Sequence, residues 1–275
     1  MVLSAFLYNR LLKIYQLLSA GKRLDPQNDT ILVLGGSTTS FGRALCEILV
    51  KGYKCKVLNL DKKDSLTQLP FTNYKFIKCH FTNRNSVLNA LSRLKELEED
   101  ITVIINNVQE GITSLYSTKV PLDPITAFER CAYANLINPI IVFNYYLREL
   151  VDKRRRNGRY IINISSELTK HDVGVGMYYV SSKAGLNQFH DGFNSELQVC
   201  NELNSFKCLL VYLPYVKEFS RWEHMSSDLA NDLVEAMLFG KLGEVTLCED
   251  YSNFRSGGLY SETIFKILTV LRDWK

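Results

Sequence analysis

The sequence predicts an α/β protein: a single doubly wound parallel sheet of about seven strands with helices on both faces. Three observations lead there. Short, continuously apolar runs recur along the chain, stretches with helical spacing alternate with them, and a Gly/Ser/Thr-rich loop follows the first run. Strands buried on both faces are apolar at every position, whereas a sheet wetted on one face alternates.

The elements follow in order. Thr30–Leu34 reads as the first strand, and Gly42–Lys51 as a helix ending at Gly52. Lys56–Leu60 and Lys75–Cys79 are the second and third strands. Ser86–Leu97 has helical spacing, and Ile101–Ile105 is apolar or β-branched throughout, so it is the fourth strand. A long helix is expected within Thr126–Val151, a fifth strand at Tyr160–Ile164 and a helix at Tyr178–Val199. Lys207–Leu213 and Glu244–Leu247 complete the sheet. No internal repeat or low-complexity tract interrupts this order.

Bulk properties limit the function classes. With 275 residues, 46 % hydrophobic and 23 % charged, the chain suits one domain with a sizeable core. A net charge of +4 is too weak, without a basic-aromatic stripe, to argue for nucleic acid. Lys153–Arg156 is a basic run that complements a helix C-terminus. Seven cysteines without CxxC spacing read as free thiols of an intracellular, reducing compartment. The four histidines lack ligand spacing, so no metal is expected.

Residues 1–24 are apolar at helical spacing, basic and free of acids. Arg10 and Lys13 interrupt the apolar run and argue against a transmembrane span. Three readings stay open: a helix docked on the domain, an interfacial helix on an organelle membrane, or a mitochondrial targeting segment. Membrane surface is slightly favoured. The main domain is expected over 29–275.

Ser166, Tyr179 and Lys183 carry the chemistry. Tyr179 and Lys183 are four residues apart and share one helix face. Ser166 ends an apolar strand-like run thirteen residues before Tyr179. An ammonium beside a phenol favours the phenolate, lowering the phenol from its usual pKa of about 10. Such a tyrosine is a general acid or base near neutrality, and the serine hydroxyl can hold a substrate oxygen.

With Asn135 in AYANLINPI and the loop ILVLGGSTTSFGRAL, these residues resemble the classical short-chain dehydrogenase/reductase family over roughly Asp29 to Asp250. The resemblance implies a Rossmann domain, a nicotinamide cofactor, and hydride transfer between an alcohol and a carbonyl. Tyr179 would move the proton, Lys183 would tune it and hold the nicotinamide ribose, and Ser166 would orient the substrate oxygen. Asn135 would hold a water that relays the proton.

Gly35, Ser37, Thr38, Ser40, Phe41 and Gly42 are expected at the pyrophosphate. Read from Gly35, the last glycine of the family pattern arrives one residue late. Asp61, nineteen residues after Gly42, is placed to bind the adenosine ribose 2′-OH, which favours NAD over NADP; Lys62 and Lys63 moderate that preference. Asn107 and Val108 follow the fourth strand, and Pro214 and Val216 follow the sixth. Tyr179 and Lys183 also face the cofactor. His80, Gln109 and Tyr215 depart from the family's residues.

The expected substrate is a small hydrophobic alcohol or carbonyl, under a lid over about 216–238 that contains Phe219, Trp222, His224, Met225 and Leu229. Glu262–Trp274 is expected to cap the domain, meet another subunit of a homo-oligomer or touch a membrane. The alternative to an enzyme is a scaffold or nucleotide sensor without turnover, which the altered cofactor residues favour.

Overall fold

The computed structural model describes residues 22–64, 71–111, 123–152, 158–171, 176–199, 206–214 and 219–247. Seven strands form one parallel sheet: β1 (Thr30–Leu34), β2 (Lys56–Asp61), β3 (Tyr74–Lys78), β4 (Ile101–Asn106), β5 (Arg159–Ser166), β6 (Phe206–Leu213) and β7 (Gly243–Thr246). Their order is β3-β2-β1-β4-β5-β6-β7. The winding reverses between β1 and β4, which opens a crevice at the C-terminal ends of those strands.

Strand alternation divides the core. Ile31, Val33, Val103, Ile105, Ile162 and Val211 face one layer, with α1 (Ser40–Glu47) and α6 (Phe219–Leu238). Leu32, Leu34, Leu58, Leu60, Ile104 and Ile161 face the other. That layer holds α2 (Arg84–Glu96), α4 (Asn138–Asp152) and α5 (Met177–Val199). The central strands β1, β4, β5 and β6, and β2 beyond its first residue, bury both faces, so their runs are largely apolar, while the edge strands β3 and β7 stay partly exposed.

Local signals set the helix starts. Thr39 caps α1, its hydroxyl accepting from Gly42 N at 3.0 Å. Asn83 caps α2, and Asp123 caps α3 (Pro124–Ala132) with proline in the first turn.

The long helix expected over 126–151 is instead three pieces: α3, a π-helical turn at Tyr133–Ile137, and α4. Pro139 explains the break. It has no N–H to donate to the carbonyl of residue 135, and its ring crowds that carbonyl. The turn widens at Asn135, as single π turns often do at functional sites.

Two expected boundaries move. Leu24 is 4 % exposed, packs in the core and donates its N–H to Met237 O at 3.0 Å, while Lys22 pairs with Asp29 at 2.6 Å. Residues 22–24 therefore belong to the domain. Leu229, Ala230, Leu233, Val234 and Met237 of the expected lid are buried against the α1 side of the sheet. That part of 216–238 is a core helix, because its apolar stripe closes the layer over β1 and β6. The expectations for residues 1–21, Lys153–Arg156, Tyr215, Val216 and Glu262–Trp274 lie outside the described residues. So do the side chains of Phe219, Trp222 and His224. No helix among the described residues is long and apolar enough to cross a membrane.

Candidate active site

Ser166, Tyr179, Lys183 and Asn135 meet at the C-terminal edge of the sheet. Ser166 is the last residue of β5, Tyr179 and Lys183 lie in the first turns of α5, and Asn135 sits in the π turn. All four are buried; Lys183 and Asn135 are 0 % exposed and Tyr179 2 %.

Lys183 organises the centre. Its Nζ donates to Val108 O at 2.8 Å and Ile164 O at 2.7 Å, joining the ends of β4 and β5, and lies 5.9 Å from the Tyr179 ring centroid. Burial pushes the amine down to about 7, because an ammonium without water is costly. An amine titrating near neutrality can give or take a proton under ordinary conditions.

Asn135 holds the loop after β4 from below. Its Oδ1 accepts from Glu110 N at 2.8 Å, and its Nδ2 donates to Glu110 O and to Ser182 Oγ, both at 2.9 Å. Ser182 donates in turn to Tyr179 O at 2.7 Å. The Ser166 hydroxyl accepts from Leu168 N at 3.3 Å, which orients it at the end of its strand.

A second buried chain stands behind Lys183. Asn106 Oδ1 accepts from Val108 N at 3.3 Å, and Asn106 Nδ2 donates to Asn163 Oδ1 at 3.0 Å. Asn163 Nδ2 lies 3.1 Å from His190 Nδ1. Burial lowers His190 to about 4, so it is neutral and Nδ1 accepts. This chain fixes the Val108 carbonyl that receives Lys183.

The Gly-rich loop occupies the crevice beside β1. Gly35 has φ +79°, and a side chain there would lie 2.9 Å from Asn107 O. Gly36 donates to Asn59 Oδ1 at 3.0 Å. A Cβ on Gly36 would fall 2.6 Å from that oxygen and from Cys46 Sγ. Counted from Gly36, the family's spacing of three residues and then one falls on Ser40 and Gly42 without an insertion. The one-residue delay is removed, and Gly35 takes the threonine position.

Several expected cofactor residues turn inward. Phe41 is 0 % exposed and packs in the core, so only its backbone borders the crevice. Ser37 Oγ accepts from Asn59 Nδ2 at 2.6 Å. Asn107 Nδ2 donates to Gly35 O at 2.8 Å and Thr39 Oγ1 at 3.1 Å, bracing the loop. Thr38 is exposed, and Ser40 is half-buried at the start of α1. Pro214 follows β6 and is half-buried.

Asp61 ends β2 as expected, but its carboxylate is engaged by the loop. Oδ2 accepts from Ser37 N at 2.8 Å, Thr38 N at 2.9 Å and Thr38 Oγ1 at 2.9 Å, and Oδ1 accepts from Lys62 N at 2.6 Å. Gln109, at a glycine position of the family, donates Nε2 to Asn107 Oδ1 at 2.8 Å. Its Oε1 is buried without a partner. His80 is exposed at the crevice side of β3.

These residues fit a nicotinamide dinucleotide. The tight glycines let backbone approach a pyrophosphate, α1 starts where it would lie, and Gln109 Oε1 offers a buried acceptor to a donor such as a ribose hydroxyl. Asn59, Glu110, Asn163, Ser182 and His190 were missed by sequence reasoning. Asn59 and Asn163 do leave a signal, each being a lone amide inside an apolar strand run.

Gly42 tests the loop directly. A Cβ there would lie 2.6 Å from Gly35 O and 2.7 Å from Asn107 Nδ2. Gly42→Ala is expected to cost about 1–3 kcal/mol of stability and to weaken dinucleotide binding, measured by urea unfolding and nicotinamide fluorescence.

A parallel sheet with a Gly-rich turn at its reversal point and a buried tyrosine–lysine pair beside it defines a dinucleotide-binding oxidoreductase class. The chain belongs to the short chain dehydrogenase family, which it matches over residues 29–216. It is 32 % identical over 257 residues to the oxidoreductase-like protein SRL4 of Saccharomyces cerevisiae, spanning 88 % of this chain and 92 % of that one. Serine 3-dehydrogenase of Rhizobium radiobacter is 25 % identical over 171 residues, spanning 61 % of this chain and 66 % of that one. Among solved structures, a short chain dehydrogenase from Leptospira borgpetersenii with bound NAD+ shares the fold. It has a TM-score of 0.63 and 15 % identity, covering 83 % of this chain and 92 % of that one. One from Burkholderia cenocepacia in complex with NADP has a TM-score of 0.60 and 19 % identity, covering 86 % and 95 %.

Proposed function

We propose that this chain interconverts an alcohol and a carbonyl using NAD, with NADP as the weaker cofactor. The observation that carries the reading is Lys183: a buried amine held by two carbonyls, next to Tyr179, at the same edge as Ser166 and Asn135. Bound nicotinamide supplies the hydride chemistry. Tyr179 passes the proton to or from the substrate oxygen, and Ser166 orients that oxygen. Lys183 tunes Tyr179 and holds the nicotinamide ribose. Asn135 holds the water that relays the proton. The serine dehydrogenase relative supports a dehydrogenase reading. Exposed Met177 and the Phe128–Tyr178 ring pair, 6.0 Å apart, adjoin Tyr179 and support a hydrophobic substrate.

Gln109 favours a second reading, a nucleotide sensor without turnover, because its side chain stands where the family has glycine. Titrating the full chain with NADH and NADPH by nicotinamide fluorescence, then assaying hydrophobic alcohols and serine with NAD, separates the two. Saturable NADH binding with turnover is expected. Binding without turnover on any alcohol favours the sensor, and no binding by folded protein removes both.

A further inference from the structure

The geometry points to Glu110 as the residue that sets NAD against NADP, by holding Lys62 away from the position of a 2′-phosphate. This rests on the dinucleotide reading above. The end of the second strand is where an acid meets the ribose 2′-OH, or a cation meets the 2′-phosphate. Asp61 occupies that end but is 3 % exposed, and its carboxylate accepts from Ser37, Thr38 and Lys62. The rim beyond it is decided by side chains with more freedom.

Lys62, the next residue, has a side chain 45 % exposed, and its Nζ lies 3.7 Å from Glu110 Oε2. Glu110 comes from the loop after β4, so the pair reaches across the end of β1 to the residue following β2. Glu110 is no ordinary surface acid. Its backbone is held at both ends by Asn135, at 2.8 and 2.9 Å. Its other carboxylate oxygen accepts from Arg130 Nη2 at 2.6 Å, and its side chain is only 19 % exposed. A carboxylate already fixed loses no further side-chain freedom on pairing, so it competes for Lys62 better than a mobile one.

The pair engages the cation best placed for a 2′-phosphate. The other cations nearby in sequence or on the loop are Lys63 and Arg43, both exposed; Arg43 Nη2 lies 3.4 Å from Ser40 Oγ. Removing the Glu110 carboxylate releases both Lys62 and Arg130, and a double Glu110 and Lys62 variant tells a gain through Lys62 from one through Arg130.

The test uses full-chain protein and nicotinamide fluorescence with NADH and NADPH. Four forms are compared: wild type, Glu110→Gln, Lys62→Met and the double variant. In Glu110→Gln the NADPH affinity should rise about three- to five-fold relative to NADH, the scale of one partly exposed ion pair. In the double variant that gain should vanish. An unchanged ratio in Glu110→Gln with NADH binding intact, or a gain that persists in the double variant, overturns the inference alone. If folded wild-type protein binds neither nucleotide, the dinucleotide reading fails and takes this inference with it.

Discussion

Tyr179→Phe is expected to lower turnover by roughly 10²–10⁴-fold, the range for loss of a positioned general acid or base. The change removes one hydroxyl from a side chain that is 2 % exposed and leaves the ring that packs in α5. Lys183 keeps both carbonyl partners, since neither belongs to Tyr179. NADH affinity should therefore change little while kcat collapses. Circular dichroism and the fluorescence titration check the fold and the binding, and a progress-curve assay checks kcat. Turnover within a few-fold of wild type would remove Tyr179 from the proton path and leave the neighbouring Tyr178, half-buried against Phe128, as the candidate to examine.

Lys183→Met should abolish turnover and also change the pH dependence of stability. Burial holds the folded-state amine at about 7, against an ordinary value of 10.5. Between those values the unfolded chain binds more protons than the folded one, so raising pH stabilises the wild type. The stability difference, wild type minus Lys183→Met, should be flat below about pH 7 and rise with pH up to about 10.5. Its slope should approach about 1.4 kcal/mol per pH unit. Taking the difference cancels groups common to both proteins. These include Cys131, pushed up to about 11 by burial, and Tyr212, pushed up to about 12. Urea unfolding at several pH values measures it. A difference that does not vary with pH would mean the ammonium is not desolvated. Below pH 7 the variant trades a buried charge for two carbonyls, Val108 O and Ile164 O, that have lost their donor.

The strand pattern, the tyrosine–lysine spacing and the place of Asp61 could all be read from the chain. They rest on local rules. Burial of both strand faces writes a continuous apolar run, helical pitch puts residues 179 and 183 on one face, and a strand end lies where its run stops. Strand boundaries held to within a few residues for the same reason. The break at Tyr133–Ile137 was not read from the chain, although Pro139, which removes a donor to the carbonyl four residues earlier, carried the signal for it.

Only the folded sheet could show who stands opposite whom. Asp61 braces the Gly-rich loop because β2 lies next to β1. Asn59 holds Gly36 and Ser37 across 22–23 residues of sequence. Lys183 reaches carbonyls 75 and 19 residues away. Glu110 meets Lys62 because the strand order places the ends of β4 and β2 on either side of β1. These partners are chosen by topology, which joins segments whose local patterns carry no information about one another. Thus the chain itself specified its strands, its parallel sheet and the spacing of its proposed proton-transfer residues, whereas the charges bordering the proposed cofactor crevice were settled by long-range packing.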